Sequence, residues 1–188
     1  MEKYPNGKHT ILWISRTAMF LALLVVLQAA TASLGNTLIT GTAVNMLLIV
    51  SVMTCGKMSG TMVAVLSPIL AKGLGIGPLW SLIPFIIAGN ILLVLLWHVI
   101  ANRRSWPPLA AEIAALAAGA LAKFLVLYVG IVKLAVPLWL GLTGTQAELI
   151  SGMFSIPQLI TAIFGGIAAL LLLAPLKKAL ARRDMNGI

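Results

Sequence analysis

Lys123 is the residue of this sequence with the clearest chemical potential, because it lies inside an apolar stretch that runs over about 109–133. A lysine placed within a membrane costs about 2.5–3.5 kcal/mol on insertion scales. A ligand carboxylate or phosphate would compensate this cost, and so would a carboxylate of the chain itself. Glu112 lies about three turns away along the same helix, and Glu148 would reach Lys123 only if its loop folded inward. Snorkelling of the ammonium to the outer interface is the alternative.

Three amide side chains occur at depths compatible with Lys123. Asn90 lies midway along one apolar stretch, and Asn45 and Gln158 lie in the outer halves of two others. Each alone is typical of a hydrogen bond between helices. Together with Lys123 they predict a shallow substrate-binding pocket that opens to the outside.

Aromatic side chains supply a possible lining for this pocket, since small-molecule sites are mostly apolar with a few placed polar groups. Tyr128, Trp139 and Phe154 are the aromatic residues that we expect to bind substrate, and Trp80 and Phe85 could join them. The alternative is an aromatic belt at the membrane interface, which suits Trp80 and Trp139 best.

Residue sets for catalysis are nearly absent. The four acidic residues are too widely separated to act as a pair, and two histidines and one cysteine form no cluster with metal-ligand spacing. No phosphate-binding glycine loop occurs. The sequence therefore predicts a protein that is not an enzyme and that needs neither a metal nor a cofactor.

Composition places the chain in a lipid bilayer. Of its 188 residues, 61% are hydrophobic and 9% are charged, against roughly 25% charged in a soluble domain. The net charge of +9 comes from basic residues near the chain ends and in short gaps between apolar stretches. That distribution is typical of topology determinants and argues against nucleic-acid binding.

The apolar stretches predict an all-α, polytopic membrane protein that forms a single six-transmembrane-helix bundle. Turn and breaker residues separate the stretches. The predicted spans are about 11–34, 40–55, 58–74, 79–101, 109–133 and 153–176.

The stretch 42–72 allows one long helix or two short ones, and charge decides between them. Six spans put both termini on one side, so that the basic residues of both ends, Lys57, Arg103 and Arg104 all face the cytoplasm. Five spans would turn Arg103, Arg104 and the C-terminal cluster outward, against the positive-inside rule. We therefore expect six spans with both termini cytoplasmic, in a prokaryotic plasma membrane.

Two further segments need interpretation. Ala30-Thr31-Ala32 resembles a signal-peptidase site, but the stretch before it is long enough to span, and we expect it to be retained. With six spans, the connections at about 35–41, 73–79 and 134–152 face outward. The last is the longest and is interpreted either as a functional loop or as a plain surface loop.

Small residues spaced by four let another helix approach closely. Ala18 and Ala22 form such an AxxxA pair in the cytoplasmic half of the first span. Ala18 and Ala22 could therefore either pack against another helix of the bundle or contact a partner protein.

The chain resembles the substrate-binding S-components of energy-coupling factor transporters, which take up vitamins in bacteria and archaea. The resemblance covers nearly the whole chain. It depends on size, six spans, and the segments RTAMFLA at 16–22, TGTAVN at 40–45 and GIGP at 75–78.

This resemblance implies a mechanism and partners. An S-component binds its vitamin from outside and docks on a transmembrane coupling protein through the AxxxA face, here Ala18 and Ala22. Two separate ATPase subunits then drive it to topple and release the vitamin inside. Family binding residues lie in the outer halves of the last three helices and in the outer loops, where Asn90, Lys123 and Gln158 lie here.

The identity of the ligand is open. Lys123 and the scarcity of acidic residues in the outer half favour an anionic or carboxylate-bearing vitamin, such as pantothenate, lipoate, nicotinate, biotin or folate. A stand-alone secondary carrier or a small channel is the alternative function, although neither an ionisable relay nor inverted repeats are evident.

Overall fold

The computed structural model describes residues 7–33 and 35–185, and these form helices and their connections without any strand. Leu34, at the end of the first predicted span, and both chain ends lie outside the described residues. In chain order the elements are α1 (Gly7–Ala32), α2 (Thr37–Gly73), a 3-10 turn (Trp80–Leu82), α3 (Ile83–Ala101), α4 (Pro108–Leu127), a π-helical segment (Tyr128–Trp139), α5 (Gly144–Met153) and α6 (Ile156–Met185).

Five helical stretches in the described part of the chain are long and apolar enough to cross a membrane. The prediction of an all-α, multi-pass membrane protein is confirmed at this level. The predicted second and third spans appear as the single helix α2, whose 37 residues are interrupted at Gly56.

Helix α2 folds back on itself at Gly56. The φ and ψ angles of this residue are 85° and 172°, a combination that is essentially restricted to glycine. Val52 and Gly60 would be about 12 Å apart along a straight helix, yet a methyl group on Gly60 would lie 2.5 Å from the Val52 Cβ. Residues 37–55 and 57–73 therefore form an antiparallel hairpin.

The hairpin lies at the centre of the bundle, where α1, α3 and α6 all pack against α2. Thr17 of α1 donates a hydrogen bond to Ser59 of α2 over 2.9 Å, and both side chains are buried. The main core gathers apolar side chains of α1, both halves of α2, α3, α4 and α6 around the fully buried Trp97.

Close contact between helices depends on glycines. Gly119 of α4 and Gly166 of α6 both lie against the Trp97 ring, so that a side chain at either position would collide with its neighbours. A methyl group on Gly165 would lie 2.5 Å from the Asn45 Cβ and 2.8 Å from the Thr42 carbonyl oxygen. Helices α2 and α6 thus approach with almost no space between their backbones.

The prediction that 134–152 forms a loop is wrong. Residues 128–139 continue the apolar stretch of α4 as a π-helix that contains Pro137, and the Leu140 N–H closes it on the Ala135 carbonyl over 2.8 Å. Proline lacks the N–H of an α-helical bond, yet the chain forms a wider helix through Pro137 instead of ending the helix there. The following residues form α5, none of whose side chains is buried.

Candidate functional site

The structure brings Lys123, Asn45 and Asn90 into direct contact. The Lys123 Nζ donates to the Asn45 Oδ1 over 2.6 Å and to the Asn90 Oδ1 over 2.7 Å. All three side chains are at most 4% exposed. The lysine of α4 is therefore held between α2 and α3 inside the protein, and it does not snorkel to the surface.

Helix α6 supports this arrangement from behind. The Asn45 Nδ2 donates to the Thr161 Oγ1 over 3.4 Å, and the Thr161 hydroxyl donates in turn to the Gln158 carbonyl over 3.1 Å. Gly41 lies against the Thr161 side chain. The contacts of Gly41 and Gly165 thus bring α6 close enough to α2 to fix the orientation of the Asn45 amide.

A cavity of about 300 Å³ opens next to the lysine. Its lining comes from α1, both halves of α2, α3, α4, the end of α5, α6 and the connections at 35–36, 76–78 and 154. These connections lie at the end of the bundle opposite Gly56. Lys123 is the one charged residue in this lining as far as the chain is described, and apolar side chains such as Val44, Ile86 and Leu127 surround it.

Four of the predicted substrate-binding residues line this cavity: Asn90, Lys123, Phe154 and Gln158. Phe154 is buried, and the Gln158 amide donates to the Met153 carbonyl over 3.1 Å. Asn45 is absent from the lining. It lies between Lys123 and helix α6, on the side of the lysine that faces away from the cavity, and accepts a hydrogen bond from the Lys123 ammonium. Its role in this geometry is to position the ammonium.

Tyr128 and Trp139 do not line the cavity. Tyr128 follows Lys123 by five residues, which places it about 140° around the helix, where it stacks on Phe124 at 5.6 Å and lies under the Lys133 ammonium. Trp139 is 64% exposed and packs edge-on against Phe85. The exposed position of Trp139 is the one expected of an interfacial belt residue.

Several polar residues of the cavity were not predicted from the sequence. Gln28 of α1 and Ser67 of the second half of α2 both line it. The criterion that selected Asn45, a polar side chain in the outer half of an apolar stretch, applies to both of them.

The small residues separate into two groups. Ala111, Ala115, Gly119, Gly165 and Ala169 are buried in contacts between helices. Ala18 and Ala22 are exposed, on a face of α1 that also presents Ile14 and Met19. Among the described residues, the AxxxA pair therefore does not pack inside the bundle and remains available to lipid or to another protein.

Comparison of the chain with protein-family models, with curated proteins and with solved structures gives no match. In the described part of the chain, no group of three histidine, cysteine or acidic residues could hold a metal ion.

Proposed function

We propose that this protein is the substrate-binding membrane subunit of an ATP-driven uptake transporter of the energy-coupling factor type, and that it binds a small anionic or carboxylate-bearing vitamin without catalysing a reaction. The observation that carries the proposal is the Lys123 ammonium, held by Asn45 and Asn90 beside a cavity of about 300 Å³. This volume is at the lower end of the range for small-molecule pockets, about 300–1,000 Å³.

The charge of the site favours an anion. A buried ammonium needs a compensating charge as well as hydrogen bonds, and the two partners of Lys123 are neutral amides. An ammonium has three N–H donors, of which Asn45 and Asn90 take two. The third has no partner in the described part of the chain, and a ligand carboxylate at this position would supply both the acceptor and the charge.

We infer six membrane crossings for the proposed orientation. Residues 37–55 and 57–73 each extend about 25–29 Å as helices, close to the roughly 30 Å of a bilayer core. With six crossings, the Gly56 turn lies on the cytoplasmic side together with Lys57, Arg103 and Arg104, and the cavity opens to the outside. Lys72 and Lys133 lie toward the cavity end and oppose this orientation. The orientation is still favoured, because most basic residues lie on the cytoplasmic side.

Two features support coupling to separate ATPase subunits. The chain carries no phosphate-binding glycine loop of its own. The exposed Ala18 and Ala22 leave a shallow place on α1, where a helix of a transmembrane coupling protein could approach closely.

Reconstitution with and without an energy-coupling module tests this function. The double variant Ala18→Trp/Ala22→Trp fills the shallow face and should abolish ATP-dependent uptake while ligand binding is unchanged. Ala30→Trp, at an exposed position of α1 on a different face, is the control and should retain uptake. Uptake into liposomes by this protein alone would instead identify a stand-alone carrier or channel.

A further inference from the structure

Two residues that line the cavity each carry a buried polar atom without a hydrogen-bond partner in the described part of the chain. These atoms are the Ser67 Oγ and the Gln28 Oε1. Ser67 is 0% exposed as a residue and Gln28 is half-buried. Buried polar atoms are nearly always paired, and leaving one unpaired costs about 1–3 kcal/mol.

The unpaired state of Ser67 is unusual for a helical serine. Such hydroxyls commonly donate to the carbonyl of the preceding turn, as Thr54 does to Val50 over 2.7 Å in the first half of α2. Ser67 makes no such bond, although it lies in the interior of α2 directly before Pro68. Its hydroxyl is therefore free to bond a group in the cavity.

Ser67 lies at the depth of the Lys123 site. Val52 and Gly60 face each other across the α2 hairpin. Because the two halves are antiparallel, a residue seven positions after Gly60 faces the residue seven positions before Val52. Ser67 therefore lies opposite Asn45. Asn45 is the residue that bonds Lys123. The unpaired hydroxyl and the ammonium thus border the same level of the cavity from different helices.

Gln28 lies close to the same level. The hydrogen bond between Thr17 and Ser59 places these two residues at the same level of the bundle. Counted from that level at about 1.5 Å per residue, Gln28 lies about 16 Å further along α1 and Ser67 about 12 Å further along α2. The two residues therefore differ in level by about one helical turn. Gln28 and Ser67 line the cavity from α1 and from the second half of α2, whereas Lys123 and Asn90 line it from α4 and α3.

We infer that Gln28 and Ser67 form a second recognition point, which binds a neutral N–H or O–H donor of the ligand while Lys123 binds its anionic group. The inference deepens the proposed function and rests on it. A carbonyl oxygen and a hydroxyl oxygen can both accept a hydrogen bond. The ligand is thereby defined as a compound with an anionic group at one end and a hydroxyl, amide or ureido donor at the other.

This arrangement predicts discrimination against purely apolar acids. A site built to hydrogen-bond a ligand group rejects the analogue that lacks it, because its own polar atoms then remain unpaired. Biotin and lipoate share a pentanoate chain, but biotin ends in ureido N–H donors and lipoate in an apolar dithiolane ring. Pantothenate and octanoate extend this comparison to a second donor-bearing acid and a second apolar one.

The experiment measures the binding of these four acids to the detergent-purified full-length protein by isothermal titration calorimetry. We expect a donor-bearing acid to bind at least about tenfold more tightly than the apolar acids, which corresponds to about 1.4 kcal/mol. Gln28→Leu and Ser67→Ala should each remove most of this preference. Both replace the polar atom by an apolar one of similar or smaller size, and Ser33→Ala, at an exposed serine directly after α1, is the control.

The outcomes separate the inference from the proposed function. Binding that requires Lys123 but is equally strong for donor-bearing and apolar acids, or is unchanged in Gln28→Leu and Ser67→Ala, overturns the second recognition point and leaves the proposed function intact. Water alone would then satisfy the two atoms. Failure of the wild-type protein to bind these four acids, and also nicotinate and folate, contradicts the proposed function, and the inference falls with it.

Discussion

The position of the Lys123 ammonium is determined by the side chains around it and not only by its depth in the membrane. Its two hydrogen bonds to Asn45 and Asn90 come from different helices, so the ammonium has a fixed position beside the cavity. A fixed charge recognises an anion without paying to order a flexible side chain. The same network ties α2, α3, α4 and α6 together, and ligand binding at Lys123 would be communicated to four helices.

Substitution of Lys123 by methionine tests the anion site. Lys123→Met keeps the approximate length of the side chain but removes the charge and the N–H donors, so affinity for the tightest-binding carboxylate should fall about 10- to 100-fold, since hydrogen bonds to charged groups contribute about 1.5–3 kcal/mol. Isothermal titration calorimetry measures the change. Lys133→Met, at an exposed position ten residues along the same helical stretch, should bind as the wild type does, and an unaffected Lys123→Met would remove the anion site from the account.

At this scale the sequence predicted the polar residues better than the aromatic ones. Lys123, Asn45, Asn90 and Gln158 could be selected because a polar side chain in an apolar stretch needs a partner, whatever the details of packing. The direction of an aromatic side chain depends on helix phase, and for Tyr128 a rotation of about 140° from Lys123 turned the ring away. Phe154 lines the cavity because it follows α5 directly, an element that the sequence did not predict.

The elements that position the site are held by a few backbone contacts. Helix α2 supplies Asn45 from its first half and Ser67 from its second half, so the cavity exists because the hairpin closes at Gly56. Turn residues and the Lys57 charge indicated a break near this position. The sequence could not show that the two halves pack directly, because the contact of Gly60 with Val52 depends on the angles of Gly56.

Gly56→Ala tests the hairpin. Its positive φ of 85° with ψ near 172° disfavours any residue with a side chain, and we expect a loss of stability of about 1–3 kcal/mol. Thermal unfolding in detergent measures it. Gly73→Ala is the matched control in the same helix, because its φ is not in the left-handed region and a methyl group there meets open space. Equal melting temperatures for the two variants would show that the backbone at Gly56 is not constrained as described.

Gly165→Ala tests the support from α6. The added methyl group would collide with Asn45 and with the Thr42 carbonyl, and overpacking of this kind costs about 1–3 kcal/mol. Because the displaced group is Asn45, we expect weaker carboxylate binding together with a lower melting temperature. Gly152→Ala, where a methyl group meets nothing, should leave both quantities unchanged. Normal binding by Gly165→Ala would mean that Asn45 is not needed to hold Lys123.

The described part of the molecule has a largely apolar cavity with a few polar groups at one end, and the exposed basic residues Lys57, Arg103 and Arg104 at the other. Composition and apolar stretches were sufficient to predict an all-α membrane bundle, because a bilayer imposes helix length and apolarity on the sequence directly. The helical content of 134–152 was missed because Pro137 and the polar residues from Thr143 to Glu148 resemble a loop in sequence. The number of crossings stays a prediction.

Cysteine labelling in intact cells tests the six-crossing orientation. In a Cys55→Ala background, Lys57→Cys and Ser105→Cys should react with a membrane-impermeant maleimide only after the cells are permeabilised. Leu74→Cys, at the cavity end, should react in intact cells. All three positions are exposed in the structure. Protection of Lys57→Cys under both conditions would place it within the bilayer and favour a single crossing by α2.

The central claim, that the Lys123 cavity holds a small anionic molecule, is tested most directly by mass spectrometry of the compounds released when the detergent-purified protein is denatured. Parallel preparations of wild type and Lys123→Met are compared. The account predicts a compound with a carboxylate or another anionic group, near one equivalent per wild-type chain and strongly depleted from Lys123→Met. Recovery of no compound from the wild type, together with no thermal stabilisation by a panel of carboxylate vitamins, would contradict it.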